Sequence, residues 1–168
     1  MTEMLTWLEG TTIATFVRES SSLLAYTTVL SLHAMGLAIV VGINTAISLR
    51  LLGFAPGIPV APLIKLFPLM YLGFTINAIS GVGLFMARAN EMIGNSMFIA
   101  KIVFVLLGVV SIELLRTNVF SHGVVLESGS LPPRTKLFAT LSIVCWALAI
   151  ISGRLTSYPY FVASLLGL

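Results

Sequence analysis

The feature that most constrains this chain is where its charges are not. Apolar runs, nearly free of acidic and basic side chains, alternate with short segments that hold almost all the charge. A helix of about twenty such residues covers the ~30 Å of hydrocarbon in a bilayer. A helix also satisfies its own backbone hydrogen bonds, which lipid cannot do for it. Four runs read as spanning helices, at residues 22–49, 66–87, 96–115 and 137–154. Arg50 and the GFAPGIPVAP turn (Gly53 to Pro62) end the first. Lys65 and Arg88 bracket the second, and Pro68 falls in its first turn, where a missing N–H costs little. Lys101 lies near the start of the third, with Glu113 and Arg116 at its end. A polar connection from Thr117 to Pro133 leads to the fourth, flanked by Lys136 and Arg154.

Composition excludes most alternatives. Only 9% of the 168 residues are charged, against about a quarter in a soluble domain. The net charge of +3 does not point to nucleic acid, because the basic residues stand singly at run ends, as topology signals do. The one cysteine, Cys145, rules out an internal disulfide, a CxxCH haem attachment and a cysteine-held cluster within this chain. Glu3 and Glu9 stand where a signal peptide has positive charge, so a retained N-terminus is expected. There Met4, Leu5, Trp7, Leu8, Ile13, Phe16 and Val17 predict a short amphipathic helix lying in the membrane interface. Tyr158 and Tyr160 fit an aromatic belt at the other end.

Stripes of small residues predict how the helices meet: Ala34, Ala38, Gly42 and Ala46 on the first, Gly73, Asn77 and Gly81 on the second, Ala139, Ser142, Ala149 and Gly153 on the fourth. The expected fold is an all-α integral membrane protein, one domain over residues 1–168. It is a four-transmembrane-helix bundle with an N-terminal interfacial helix. The first and third connections carry Arg50, Lys65, Arg116, Arg134 and Lys136, against Arg18, Arg88, Lys101 and Arg154 opposite. The positive-inside rule then puts both termini on the periplasmic side of a bacterial inner membrane.

Ionisable residues inside a membrane are costly and mark function. His33 lies about 20 Å along its helix, near mid-membrane. Lys101 and Arg154 fall on the same side of it in an even four-span topology. An imidazole below two cations suits haem b, with iron on the histidine and propionates on the cations. Each residue also has a plainer reading: a helix-to-helix hydrogen bond for His33 or Asn77, and snorkelling for Lys101 and Arg154. His122 lies beyond Arg116, on the other side, on the order of 20 Å from His33 and too far to share its iron. Met35, Met70, Met86, Lys101 or a partner chain remain as sources of a second axial ligand.

The chain resembles the small four-span bacterial membrane proteins of the CopD and HemJ-like haem-binding family, and most closely an uncharacterised subfamily. The likeness rests on His33, Gly42 and Arg50-Leu51, on Lys101 within AKIVFVLLGVV, on the ending WALAIISGRL, and on the opening WLEGTTIATFVRES followed by Tyr26 and His33. The resemblance implies that His33 binds haem and that Lys101 is needed for activity. Val40 and Val41 stand where the HemJ pattern has a tryptophan, and Leu49-Arg50 where it has Pro-Arg. Haem binding survives these departures better than the family's oxidase activity does.

The expected cofactor-binding set is His33, Lys101, Arg154, Asn77, Trp146 and Tyr26, with His33 as the metal ligand. The expected cofactor is non-covalent haem b, with quinone a further candidate; no catalytic residue is assigned. The expected function is electron transfer. The alternative is a non-catalytic structural or assembly subunit of a larger membrane complex. A transporter is disfavoured, because four spans without an internal repeat do not by themselves enclose a pathway. The expected partners are the lipid bilayer and a protein partner or second copy, with no nucleic acid.

Overall fold

The computed structural model describes residues 2–19, 23–120 and 134–158. It holds α1 (Thr2–Glu9), α2 (Thr12–Glu19), α3 (Leu23–Leu52), α4 (Phe67–Ala87), α5 (Ala89–Ile93), α6 (Ser96–Leu115) and α7 (Arg134–Leu155). Four helical segments are long and apolar enough to cross a membrane: Ala25–Leu52, Ala61–Ala87, Ser96–Phe120 and Arg134–Leu155. The protein is therefore an all-helical, multi-pass membrane protein, a four-helix bundle as the charge pattern predicts. His122, most of the expected 117–133 connection, residues 20–22 and the tail with Tyr160 lie outside the described residues.

The connections differ from expectation in instructive ways. The turn after α3 is confined to residues 53–60, and a 3-10 turn (Ala61–Leu66) already carries the chain back toward the membrane. Gly53 holds a φ of 106°, a left-handed conformation natural to glycine. The Arg50 guanidinium donates to the carbonyls of Ile58 and Pro56 and ties the turn to its helix. Pro68 does sit in the first turn of α4. Past α6 the helix does not give way to a polar connection at Thr117. It continues as a wider π turn, Arg116–Phe120, which buries Val119 and Phe120 and sets Phe120 edge-on to Phe67 at 5.3 Å. Thr117 and Asn118 fold back to donate to the carbonyls of Glu113 and Leu114, so the polar residues finish the helix while the apolar pair fills the core.

The core occupies one end of the bundle. Val40, Ile47, Leu51, Phe67, Met70, Ile112, Leu115, Val119 and Phe120 are buried there, with Ala139, Trp146 and Ala149 of α7. α3 packs against α4 and α7, and α6 against α7. At the other end a cleft lies between α3 and α4 on one side and α6 and α7 on the other.

Two expected stripes face inward: Gly73, Asn77 and Gly81 on α4, and Ala139, Ser142, Ala149 and Gly153 on α7. The stripe on α3 does not. Ala34, Ala38, Gly42 and Ala46 are exposed, and a Cβ added at Gly42 meets nothing within 4 Å. The inward face of α3 is instead Gly36, Val40, Asn44, Ile47, Ser48 and Leu51. The tight crossing is Gly36 against Gly73: a Cβ at 36 would lie 2.6 Å from the Gly73 carbonyl oxygen. Spacing alone finds a helix face but does not say which of two small-residue faces meets a neighbour.

The N-terminal amphipathic segment is two helices broken at Gly10, not one. Thr11 caps the second, its hydroxyl accepting from the Ala14 N–H at 3.4 Å. Leu5, Ala14 and Val17 are buried, whereas Met4, Trp7, Ile13 and Phe16 remain exposed. The apolar residues are thus divided between the bundle and the surroundings, as suits a hairpin held at a bilayer surface. Its docking is polar too, since Glu9 accepts a hydrogen bond from the Asn90 N–H at 2.8 Å.

Hydrogen bonds from the Asn90 backbone and side chain hold the Glu9 carboxyl below its ordinary value of 4.5, with Arg18 assisting. A carboxylate with a lowered folded pKa contributes its contact above the ordinary value and loses it as the pH falls through the lowered one. The Asn90 amide resonance should therefore titrate with a midpoint below 4.5, and Glu9→Gln should abolish that titration. A midpoint at or above 4.5 would contradict the docking contact.

Candidate functional site

The open cleft between the helix pairs has a volume of about 1330 Å³. Tyr26, Leu30, His33, Ala34 and Leu37 of α3 line one side, with Gly81, Leu84 and Phe85 of α4 and Arg88 just past its end. Phe98 and Lys101 of α6 face them, together with Ile150, Gly153 and Arg154 of α7. The volume exceeds the roughly 300–1,000 Å³ of most small-molecule sites, so a large flat ligand has room. Its lip is fastened by Asn95, which caps α6 by accepting from the Met97 N–H at 3.0 Å and donates its amide to the Thr156 carbonyl, also at 3.0 Å.

His33 is held from behind. Its Nδ1 lies 2.9 Å from the carbonyl oxygen of Asn77. A carbonyl only accepts, so the proton belongs on Nδ1. Asn77 returns the bond, its amide donating to the His33 carbonyl at 2.8 Å. The Ser80 hydroxyl stands 3.3 Å from Nδ1 while donating to the Ile76 carbonyl. With Nδ1 so engaged, Nε2 keeps its lone pair, and Lys101 Nζ approaches it at 3.5 Å. A neutral imidazole fixed through Nδ1, with Nε2 left as an acceptor, has the tautomer of a metal-ligating histidine.

Two glycines make the approach possible. A Cβ at Gly81 would lie 3.0 Å from His33 Cε1, and one at Gly153 would lie 3.2 Å from Lys101 Cδ. In the sequence both belong to packing stripes; in the structure they make room for side chains instead. Ser80, a small polar residue inside the second run, and Asn95, just before the third, carried no further signal in the sequence.

Four of the six expected residues, His33, Lys101, Arg154 and Tyr26, line one cleft. Asn77 lies behind it, acting through His33. Trp146 is elsewhere: it is buried in the packed end with its ring against Gly108, whose added Cβ would meet Trp146 Nε1 at 2.9 Å. Its size and burial make it a core residue. Arg154 is exposed at the mouth, donating to the Tyr158 hydroxyl at 2.9 Å with its guanidinium over that ring at 5.1 Å. Of the considered second ligands, Met35 is 61% exposed and Met70 lies in the packed core. Neither they nor Met86 line the cleft, whereas Lys101 does, beside His33; a partner chain remains the other source considered. The plainer reading of His33 and Asn77, a bond between helices, is thus realised, and it coexists with an Nε2 that meets Lys101.

Compared with protein-family models, with curated proteins and with solved structures, the chain matches none.

At neutral pH, ¹⁵N spectroscopy of the protein without added ligand should find His33 in the Nδ1–H form. Gly81→Val, which puts branched methyls where a Cβ already meets the ring at 3.0 Å, should break the Asn77 bond and let an Nε2–H population appear. A wild-type spectrum dominated by Nε2–H is incompatible with the hydrogen bonding described.

Proposed function

We propose that this chain is a haem-b-binding membrane protein of the bacterial inner membrane that serves electron transfer, exchanging electrons with a quinone. One observation carries the reading: an imidazole within the first span, pinned through Nδ1 to the Asn77 carbonyl, presents Nε2 to a roomy cleft where Lys101 Nζ meets it at 3.5 Å. Among the described residues no three His, Cys, Asp or Glu side chains gather as a metal site. A lone imidazole therefore suits a metal whose other ligands come with it, as a porphyrin's do. Leu30, Leu37, Leu84, Phe98 and Ile150 give the apolar walls a macrocycle requires. His33 would hold the iron, Lys101, turned aside from Nε2, and Arg154 would meet the propionates, and Tyr26 would close the α3 side. Bound haem would supply a one-electron redox centre, and the protein's own part is to orient the imidazole and neutralise acidic groups. The likeness to CopD and HemJ-like proteins points the same way.

A second reading, a non-catalytic subunit of a larger complex, is favoured by the exposed Ala38, Gly42 and Ala46 on α3, which would let another helix approach closely. Absorbance decides between the two. Protein purified after haem-replete expression should show a Soret band, and His33→Ala should remove it. A wild-type protein without that band ends the haem reading. Lys101 is largely enclosed and Arg154 exposed, so the two cations should differ in weight. Losing a desolvated charge contact costs ~2–5 kcal/mol, against ~0–1 kcal/mol for an exposed one. Lys101→Met should therefore lower haem occupancy or shift its midpoint potential far more than Arg154→Met. Equal, unchanged values in both variants would detach the cations from the site.

The proposed orientation has the cleft mouth and both termini periplasmic, following the five basic residues of the first and third connections. An alkaline-phosphatase fusion at the C-terminus should be active. An inactive phosphatase with a fluorescent cytoplasmic reporter at the same position would reverse the orientation.

A further inference from the structure

One face of α3 changes character along its length. Residues eighteen apart stand about five full turns apart on an α-helix and so share one angle. Tyr26 and Asn44 are such a pair on α3, and Leu30 and Ser48 are another. At the packed end α7 covers this face: Asn44 is 2% exposed and accepts from the Ser142 hydroxyl of α7, and Ser48 is 0% exposed. At the cleft the same face is bare. Tyr26 is 40% exposed and Leu30 44%, Ala34 is exposed beyond them, and all three line the cleft. Ile150 of α7 lines it too and is 43% exposed. The cleft therefore has an edge between α3 and α7 that neither helix closes.

The edge between α4 and α6 is different. Phe85 and Phe98 stack across it with ring centroids 5.6 Å apart and planes 9° from parallel. Further along the same two helices, the Tyr71 hydroxyl donates to Glu113. The open edge also lies at membrane depth. Leu30 and Ile150 each stand five residues inside the end of a span, counted from Ala25 and from Leu155, so about 7–8 Å in. What meets this edge is hydrocarbon rather than water.

Charge says what the interior suits. Among the described residues, the acid that lines the cleft is Glu91, and it pairs with Arg88 at 3.8 Å. Lys101 and Arg154 also line the cleft and have no acidic partner among the described residues. A largely enclosed ammonium without a counter-charge is costly in a membrane, and an acidic group on a ligand relieves that cost. Lys101 lies five residues inside α6, counted from Ser96, a depth that a slender carboxylate reaches more easily than a phosphodiester head.

We infer that the gap between α3 and α7 is a lateral portal, through which the cleft takes from the bilayer an amphiphile with an apolar body and a carboxylate head. The inference rests on the cleft being the ligand site proposed above, and haem with its propionates is one member of the class. Lipid solubility selects at the portal, and Lys101 and Arg154 select by charge inside.

Fluorescence quenching on the full chain, purified without added haem and held in lipid nanodiscs, tests it. With Cys145→Ala removing the native thiol, a bimane on Leu84→Cys reports from the α4 wall of the cleft. A bimane on Ile79→Cys, a site that is 70% exposed and outside the cleft, is the reference. Stearic acid with a nitroxide on its chain should quench the Leu84 label at roughly tenfold lower concentration than its methyl ester does, and Lys101→Met should erase that difference. Ala34→Trp with Ile150→Trp, which narrows the portal, should weaken quenching at Leu84 and leave it unchanged at Ile79. A Leu84 label that the nitroxide acid does not quench overturns the portal, as does quenching that the paired tryptophans leave intact. Equal potency of acid and ester overturns the carboxylate class. Haem enters none of these readings. Quenching in a protein without a Soret band keeps the portal and ends the haem reading, and a Soret band without quenching does the opposite.

Discussion

The site depends on how closely α3 and α4 cross. Gly36 and Gly73 bring the two backbones to a separation that a single Cβ on either would violate. One turn along each helix, that proximity lets His33 and Asn77 exchange hydrogen bonds, imidazole to carbonyl and amide to carbonyl. With a larger residue at either glycine, His33 would face Asn77 across a gap no hydrogen bond spans. Its ring would then be free to rotate or to lie against lipid. The crossing thus converts a polar residue that is costly in a membrane into a fixed group with one nitrogen left to act.

The division of the bundle into a packed end and an open end follows from side-chain volume. Phe67, Met70, Leu115, Phe120 and Trp146 fill the space among the four helices at one end. At the other, Gly81 and Gly153 stand at inward positions, and the polar groups His33 and Lys101 occupy what remains. No hydrophobic effect drives helices together inside lipid, so a bundle closes only where side chains interdigitate. The cleft is where they do not. The N-terminal hairpin braces this open end from outside through Glu9 and α5, whose Glu91 and Met92 form part of the cleft wall.

Polar residues in the spans serve different ends. Asn77 and Ser80 orient a candidate ligand, and Asn95 fastens the lip. Glu113 receives both Arg116 and the Tyr71 hydroxyl, the latter at 3.0 Å, joining α4 to α6 near the packed end. Asn44 and Ser142 join α3 to α7. In lipid each of these bonds replaces a hydration that is not available, and Ser80, Ser111 and Ser152 answer the same need by bonding back to their own preceding turn.

The number of spanning helices, their approximate limits and the candidate residues His33, Lys101 and Arg154 were legible in the sequence. Those readings depend on one-dimensional physics: an uncharged run long enough to cross hydrocarbon, and the rarity of charge within it. Four things were not legible. These were the inward face of α3, the placement of Trp146 in the core, the continuation of α6 through Val119 and Phe120, and the break of the N-terminal segment at Gly10. In each case two local arrangements have nearly equal propensity, and contacts between residues far apart in the chain choose between them. Ala34, Ala38, Gly42 and Ala46 satisfy the spacing rule for a packing face as well as Gly36 and Val40 do. Only Gly73 and Ile39, meeting across the crossing of α3 and α4, select the second face. The sequence by itself determined a four-span membrane bundle with ionisable residues inside it. Tertiary packing alone decided that His33 and Lys101 meet at 3.5 Å in a cleft, because that distance is set by which faces of four helices come together.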